Sequence, residues 1–236
     1  MKAIPAIPAD RAHRVALLDG LPVDELLIHE LYRSLQGESS YAGLPCVFIR
    51  TAVCDFRCTW CDTPHAFSRG ERMTRSEVLA KALDFNTPLV ELTGGEPLLQ
   101  PAVLPLMTDL CDAGKTVLLE TSGGRDISAV DRRVHIIMDL KCPYSGESQS
   151  NYWPNLDQLK PTDEIKFVIS NRTDWEWTVT IIRQHSLDER FRVLVSGTFG
   201  AVTPLDLAEW VLESGLNIRF QLQLHKSIWD PKARGV

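Results

Sequence analysis

Short runs of β-branched and aliphatic residues alternate along this chain with longer amphipathic runs, and this alternation limits the folds available to it. Most of the apolar runs are continuous, as expected for strands buried on both faces of a parallel sheet. Strands separated by helices form βαβ units, so we predict an α/β fold with a mostly parallel sheet. Around six units in one domain favour a full or partial TIM-like barrel, with a doubly wound open sheet as the alternative. The predicted strands are Leu44–Thr51, Pro88–Leu92, Thr116–Glu120, Val134–Leu140, Ile165–Ile169, Phe191–Val195 and Ile218–Leu224.

Capping signals predict where the intervening helices begin and end. Thr74 to Glu77 and Thr173 to Glu176 both have the capping-box pattern. Thr203 before Pro204 predicts an N-cap with proline at the first helical position, and Gly215 predicts the end of that helix. A helix at Pro101–Asp112 should end at the following Ala-Gly pair.

Composition excludes several classes of protein. The 236 residues carry 25 basic and 31 acidic side chains, a net charge of −6, which argues against sequence-blind binding of nucleic acid. We find neither an apolar window of about 18 residues nor a signal peptide, so we expect a cytoplasmic protein without a membrane partner. In that compartment the six cysteines are better explained as metal ligands, nucleophiles or core residues than as disulfides. Residues 1–22 are predicted to be a poorly ordered arm or an edge extension, and residues 23–236 a single domain.

Four unusual segments directly follow predicted strands. They are residues 54–63, 93–97, 121–124 and 141–143, and they contain cysteines, a glutamate, a lysine and several glycines. In parallel α/β folds the carboxyl ends of the strands share one face, and sites are built there. One such segment could be an ordinary turn, but four together favour a functional site.

Cys54, Cys58 and Cys61 form a Cys-x3-Cys-x2-Cys motif. A structural zinc site needs four ligands, and no fourth Cys or His lies at zinc-ribbon spacing, although His65 is nearby. A 4Fe–4S cluster normally has four cysteine ligands, so three cysteines would leave one iron open to another ligand. Three buried core cysteines are the structural alternative.

The cysteine motif and the later Thr93-Gly94-Gly95-Glu96-Pro97 segment together resemble the radical S-adenosylmethionine (SAM) superfamily. The resemblance implies a 4Fe–4S cluster on Cys54, Cys58 and Cys61, with the amino and carboxylate groups of SAM on the fourth iron. Reductive cleavage of SAM would then give a 5′-deoxyadenosyl radical. The two glycines should let backbone groups approach a ligand that a Cβ would block, and the Glu96 carboxylate could accept bonds from an ammonium group.

Flanking residues are similar to those of the 7-carboxy-7-deazaguanine synthase family, from about Glu25 to the C-terminus. They include Ser-Leu-Gln-Gly-Glu at 34–38, Cys-Asp-Thr at 61–63 and Gln-Leu-His-Lys at 223–226. The resemblance implies a partial, modified TIM-like barrel and a homodimer. It implies conversion of 6-carboxy-5,6,7,8-tetrahydropterin to 7-carboxy-7-deazaguanine with loss of ammonia, through hydrogen abstraction at C6 and ring contraction. SAM would be regenerated, Mg²⁺ would assist, and a flavodoxin or ferredoxin would supply electrons.

The resemblance also assigns roles to individual residues. Thr63 would ligate Mg²⁺, which prefers oxygen, or else be a helix N-cap. Arg50 would pair with the substrate carboxylate, or else with Glu38 or Glu91. Lys141 could instead be a solvated cation, and His225, expected in a strand, could be a core or dimer residue. The SAM contacts would be Trp60, Cys61, Asp62, Gly95, Glu96, Ser122 and Lys141; the substrate contacts would be Leu35, Gln36, Gly37, Glu38, Arg50, Thr93 and His225.

Two other functions remain open on the sequence. A glycyl-radical-enzyme activase shares the cysteine motif but acts on a protein, and a metal-binding module would have no catalysis. Two positions depart from the family pattern, because Val53 and Ser39 stand where glycine is frequent. Of the other cysteines, Cys46 and Cys111 are predicted in the core, and Cys142 on the active rim.

Overall fold

The computed structural model describes residues 9–230 and 233–235, and within them nine strands form one sheet. The strands are β1 Glu25–Leu35, β2 Pro45–Thr51, β3 Glu71–Thr74, β4 Leu89–Gly94, β5 Thr116–Thr121, β6 His135–Asp139, β7 Glu164–Ile169, β8 Arg192–Gly197 and β9 Ile218–Phe220. The α-helices are α1 Ala12–Val15, α2 Arg75–Asp84, α3 Val103–Asp112, α4 Arg172–His185, α5 Leu187–Arg190, α6 Pro204–Ser214 and α7 Leu224–Ile228.

The order of the strands identifies the architecture. Across the sheet it is β3-β1-β2-β4-β5-β6-β7-β8-β9, and all neighbours from β2 onward are parallel. A doubly wound sheet would reverse direction at a switch point, whereas these strands follow chain order, as in a barrel. β3 and β9 are the two edges, so the barrel is open. The predicted partial barrel is confirmed and the doubly wound alternative is wrong.

Two strands, β1 and β3, were not predicted from the sequence. β1 is antiparallel to β2, and β3 is antiparallel to β1. β1 carries a β-bulge at His29, because Ile28 pairs with Thr51 and Glu30 with Arg50. At the other edge the predicted Ile218–Leu224 strand ends at Phe220, and Leu224 begins α7.

Most helix boundaries match their signals. The Thr74 hydroxyl accepts from the Glu77 amide at 3.3 Å, while the Glu77 carboxylate accepts from the Thr74 amide at 2.8 Å. Thr203 caps α6, and Gly215 ends it with φ +64°. The second capping box is wrong: α4 begins at Arg172, because the Asn171 side chain accepts from the Asp174 amide at 2.9 Å.

The two faces of the sheet differ in chemistry. One packs on the helices through a large apolar core that contains Ile49, Leu92, Leu106, Met107 and Phe167. The other face, inside the open barrel, has a smaller apolar floor of Cys46, Phe48, Leu89, Leu118 and Ile137. Two residues further along the same strands, on the same face, lie Arg50, Glu91, Glu120 and Asp139. The inner face is therefore apolar at its floor and charged toward the carboxyl ends.

The described part of the predicted arm contacts the rest of the chain. Residues 9–18 form short helical turns. Arg11 forms an ion pair with Glu147 at 2.7 Å, and Arg14 donates to the Asp55 carbonyl at 2.8 Å. Residues 1–8 lie outside the described residues, so the expectation of poor order there is not addressed. None of the described helices is both long and apolar enough to cross a membrane.

Candidate functional site

A cavity of about 800 Å³ opens at the carboxyl ends of the strands. It lies in the upper part of the range of about 300–1,000 Å³ common for ligand pockets. The segments after β2, β4, β5 and β6 all contribute to it, as the sequence predicted. Of the predicted site residues, it is lined by Leu35, Gln36, Gly37, Glu38, Arg50, Cys54, Cys58, Trp60, Cys61, Asp62, Thr63, Thr93, Gly95, Ser122, Lys141 and His225. Glu96 is the predicted site residue that does not line the cavity.

The three motif cysteines lie on one loop that is fixed from both sides. Arg57 donates to the carbonyls of Cys54 and Phe56 at 2.6 Å each, and Thr59 donates to the Tyr144 carbonyl at 2.7 Å. All three cysteines are free thiols. Burial raises the pKa of Cys58 to about 11 and that of Cys54 further. The thiols of Cys54 and Cys58 are therefore protonated without metal and must ionise when they bind it.

The spacing of the three sulfurs fits an iron–sulfur cluster better than a single zinc ion. Tetrahedral zinc at about 2.3 Å from each sulfur places the sulfurs roughly 3.8 Å apart. Among the described residues, the three cysteine sulfurs do not all lie within 4.8 Å of one another. The ligand atoms that do lie this close belong to His29, Glu30 and His65. Three wider-spaced thiols on one cavity wall are the donor set of a cubane with an open iron.

Gly94 and Gly95 line the cavity, but the contacts that exclude a side chain there are with protein. A Cβ on Gly95 would lie 2.0 Å from the Val53 carbonyl oxygen, and one on Gly94 would lie 2.3 Å from the Thr51 carbonyl oxygen. The glycines thus let the end of β4 pack against the start of the cysteine loop. This packing is a reason for glycine that the sequence did not reveal, and the close approach of a ligand stays a prediction.

Glu96 is fully buried directly behind the cavity wall and does not line the cavity itself. Its carboxylate accepts from the Ser122 amide at 2.7 Å, the Ser122 hydroxyl at 2.5 Å and the Thr121 hydroxyl at 2.9 Å. It also accepts from the Leu98 amide at 3.0 Å. These bonds tie the end of β4 to the end of β5. Through these bonds Glu96 holds Ser122 in the wall, and its contact with the SAM ammonium group stays a prediction.

Lys141 is a buried wall residue and not a solvated cation. It forms an ion pair with Asp139 and lies 5.1 Å from the centre of the Trp60 ring. Burial lowers the pKa of Lys141, but Asp139 outweighs this effect and the pKa is raised. Among the described residues, Asp139 Oδ1 and Trp60 Nε1 are buried without a hydrogen-bond partner. This wall therefore presents an unfilled acceptor and an unfilled donor beside the cysteine loop.

A network of acidic residues around one lysine forms the inner wall. Lys166 donates to Glu120 at 2.8 Å and forms an ion pair with Glu38. Thr93 donates to the other Glu120 oxygen at 2.9 Å, and Gln36 donates to Glu91.

The wall shifts the pKa values of two neighbouring glutamates in opposite directions. Burial would raise the pKa of Glu120, but Lys166 and Thr93 lower it to about 2. Burial and the nearby Glu120 raise the pKa of Glu91 well above its ordinary value. The wall therefore favours the ionised form of Glu120 and the protonated form of Glu91.

Arg50 points into the cavity from the end of β2 and donates to the Tyr32 hydroxyl at 3.1 Å. Its Nε lies 3.5 Å from Glu30 Oε1. The alternative partners Glu38 and Glu91 were wrong; the acidic neighbour is Glu30, across the β1–β2 ladder. One hydrogen bond and one ion pair, both to residues of β1, thus position the guanidinium of Arg50 in the cavity wall.

Thr63 precedes a 3₁₀ turn at Pro64–Phe67, yet its side chain makes no capping bond. Its hydroxyl lies 3.8 Å from Cys61 Sγ. Neighbouring Asp62 forms a 3.0 Å ion pair with Lys226, which closes one side of the cavity mouth. The Thr63 oxygen therefore remains available to a ligand.

His225 lies on α7, not in a strand. Leu224 donates its amide to the Gly37 carbonyl at 3.0 Å, and a Cβ on Gly37 would lie 2.3 Å from His225 Nδ1. Glycine at 37 is needed because α7 packs this closely. Burial lowers the pKa of His225, so the neutral ring faces the cavity. Cys142, by contrast, is not on the rim: its sulfur lies 3.5 Å from the Thr178 hydroxyl in the core.

Comparison with known proteins agrees with this geometry. Residues 48–194 match the model of the Radical SAM superfamily. A 7-carboxy-7-deazaguanine synthase from Koribacter versatilis is 48% identical over 224 residues, covering 89% of this chain and 99% of that protein. The chain belongs to the 7-carboxy-7-deazaguanine synthase family. A second member, from Chlorobaculum tepidum, is 44% identical and covers 89% of this chain and 97% of its own.

Solved structures agree on the fold. The crystal structure of QueE from Escherichia coli superimposes with a TM-score of 0.70 at 22% identity, covering 84% of this chain and 94% of that chain. Membership of the family makes the chain a radical SAM lyase that uses a 4Fe–4S cluster and SAM.

Sequence reasoning missed several wall residues. Tyr32, Glu91, Glu120, Asp139 and Lys166 line the cavity but were not predicted as site residues. A signal for four of them existed: each is a charged residue inside an otherwise apolar strand, two positions from a residue of the inner face.

Proposed function

We propose that this chain converts 6-carboxy-5,6,7,8-tetrahydropterin to 7-carboxy-7-deazaguanine with loss of ammonia, in deazapurine (queuosine) biosynthesis. The observation that carries the proposal is the single cavity that joins the cysteine loop to a wall of acidic and basic groups. A glycyl-radical activase would need a surface that admits a protein segment. The charged inner wall instead suits a small, polar, anionic molecule.

Cys54, Cys58 and Cys61 would hold the cluster, which with SAM supplies the radical that removes hydrogen from the substrate. Trp60, Asp62, Gly95, Ser122 and Lys141 lie on the same walls and would orient SAM. Asp139 belongs with them, because its unpartnered Oδ1 can accept from an ammonium group. Glu96 would keep the role assigned to it from the sequence, with Asp139 as a second acceptor.

The inner wall would recognise the two ends of the substrate. Arg50 is the cation for its carboxylate. The side-chain oxygens of Glu120 and Glu38 would be acceptors for the N–H groups of the pterin ring, and Thr93 and Lys166 hold Glu120 in place. Leu35, Gln36, Gly37 and His225 would complete this end, since α7 packs directly on that loop.

Thr63 would bind Mg²⁺ beside the substrate. Its uncapped hydroxyl and its position next to the cysteine loop support this role. Mg²⁺ retains several waters and commonly takes only one or two protein ligands, so a single hydroxyl with a substrate carboxylate is a sufficient site.

We also propose a homodimer, a low-potential flavodoxin or ferredoxin as electron donor, and a cytoplasmic location, where the free thiols would stay reduced. The boundary between an arm at 1–22 and a domain at 23–236 remains a proposal. The contacts of Arg11 and Arg14 suggest that the end of this arm folds onto the domain.

An anaerobic assay tests the function. The reconstituted protein is incubated with 6-carboxy-tetrahydropterin, SAM, Mg²⁺ and a low-potential reductant, and 7-carboxy-7-deazaguanine is measured by mass spectrometry. Multiple turnovers without net loss of SAM are expected. SAM consumed in proportion to a protein substrate would favour the activase, and one zinc in place of iron and sulfide would favour the non-catalytic module.

A further inference from the structure

We propose that His29, Glu30 and His65 form a site for a transition-metal ion such as Zn²⁺, separate from the cysteine loop. The site lies where β1 meets the turn after that loop. Nothing in the proposed reaction uses these three side chains as a group.

The ligand atoms have the spacing that such an ion requires. One atom from each residue lies within 4.8 Å of the other two. His29 Nε2 is 3.5 Å and His65 Nε2 is 3.3 Å from Glu30 Oε1. Zinc binds nitrogen and carboxylate oxygen at about 2.0–2.2 Å, which places tetrahedral ligands roughly 3.4 Å apart.

The β-bulge in β1 explains how two consecutive residues serve one site. Side chains at adjacent strand positions normally point to opposite faces. At His29 the strand has an extra residue relative to β2, and bulges of this kind redirect a side chain and occur often beside functional sites. His29 and Glu30 therefore both face His65.

A backbone carbonyl fixes His29 in the form that binds metal. Its Nδ1 lies 2.7 Å from the Arg69 carbonyl oxygen, and because a carbonyl only accepts, Nδ1 must carry the proton. Nε2 is then the ring nitrogen that is left to bind a metal, and it lies 3.5 Å from Glu30 Oε1. Metal-binding histidines characteristically donate their second nitrogen to a carbonyl or carboxylate in this way.

The donor set selects the kind of metal. Two imidazoles and one carboxylate suit zinc, iron(II) and similar ions, whereas Mg²⁺ prefers oxygen ligands alone. Arg50 Nε shares Glu30 Oε1 at 3.5 Å, so an ion on Glu30 must displace this contact. Three protein ligands leave a fourth position for water.

Equilibrium dialysis tests the site on the holoenzyme. The cluster-reconstituted protein is treated with a chelator and dialysed anaerobically against Zn²⁺ in excess Mg²⁺, and zinc and iron are counted by mass spectrometry. We expect one zinc per chain in addition to a full complement of iron. His29→Asn and His65→Asn should each weaken zinc binding by at least about tenfold, with the iron content unchanged.

His135→Asn is the matched control. His135 Nε2 also lies 3.5 Å from a glutamate, Glu164, but no second histidine joins this pair, so zinc binding should be unaffected. X-ray absorption at the zinc edge separates the two possible locations, since nitrogen and oxygen ligands give distances of about 2.0–2.2 Å and sulfur about 2.3 Å. Absence of bound zinc, a sulfur shell, or unchanged binding in both histidine variants would overturn the proposal.

Discussion

Lys166 contacts both Glu38 and Glu120 in the inner wall, so its removal gives the sharpest test of the site's electrostatics. Lys166→Met keeps much of the side chain's volume and removes its charge. At neutral pH the ionised Glu120 would then keep only the smaller effects of Thr93 and Arg50. We expect the variant to be less stable and to bind the pterin poorly.

The pKa of Glu120 sets the size of the effect. Lys166 is the main cause that lowers this pKa from 4.5 to about 2. At about 1.36 kcal/mol for each pH unit, the shift corresponds to about 3 kcal/mol. Water reaches 26% of the Glu120 side chain, so we expect a loss of about 2 kcal/mol at pH 7. This is below the range of about 3–5 kcal/mol for fully buried pairs.

The sign of the pH dependence follows from the same values. A carboxylate whose pKa is lowered by folding stabilises the protein above its unfolded pKa, here 4.5, and the contribution disappears as pH falls toward 2. Urea unfolding of cluster-free protein at pH 7, 4 and 3 should therefore show the difference from wild type shrinking to less than half at pH 3. Lys226→Met is the control, because its partner Asp62 is 49% exposed and should contribute only about 0–1 kcal/mol. A loss under about 1 kcal/mol at pH 7, or one that does not vary with pH, would refute this account.

Three further outcomes test other parts of the site. Cys58→Ala should abolish the brown chromophore and all SAM cleavage, and full activity of this variant would contradict the cluster assignment. As the control, Cys46→Ala in the core should cost only about 1–2 kcal/mol of stability. Thr63→Ala should weaken the stimulation of turnover by magnesium and leave the cluster spectrum intact. Arg50→Ala should lose about 2–5 kcal/mol of substrate binding. Both variants should still form 5′-deoxyadenosine in the absence of substrate. Val53 has φ +76°, a conformation that glycine adopts freely, so Val53→Gly should be at least as stable to urea as Val53→Ala. In an ordinary helix or strand, glycine is instead less stable than alanine by about 0.5–1 kcal/mol.

The parallel part of the fold was predictable because its strands are buried on both faces. β7 is buried throughout and β4 is buried from Leu89 to Thr93, so most of their residues are apolar. β1 gave no such signal, since most of its residues beyond Ile28 are only half-buried and its bulge breaks the alternation. β3 has four residues with one buried side chain, Met73. Neither pattern distinguishes a strand from a loop.

The parts of the site that require a particular residue type, such as cysteine or glycine, could be predicted from the sequence. The charged residues of the inner wall could not. The cysteine loop and the glycines after β4 are visible as motifs. The Glu91–Glu120 pair is not, because a glutamate in an apolar strand has meaning only when its neighbours on other strands are known. The helix at Leu224 was missed for a similar reason: its first amide is held by Gly37, which is 187 positions earlier in the chain.

The two departures from the family pattern show how strain can be accommodated beside the site. Val53 has φ +76° and Ser39 has φ +63°, so both occupy the left-handed conformation that glycine adopts freely. For an L-residue this conformation costs about 1–2 kcal/mol. Val53 offsets the cost because its side chain is fully buried against Leu27 and Ala52, a burial that contributes about 1.5–3 kcal/mol. The backbone gains from the same turn, since the Val53 carbonyl accepts from the Glu96 amide at 2.9 Å. A valine can thus replace glycine at the start of the cysteine loop while the loop keeps its geometry.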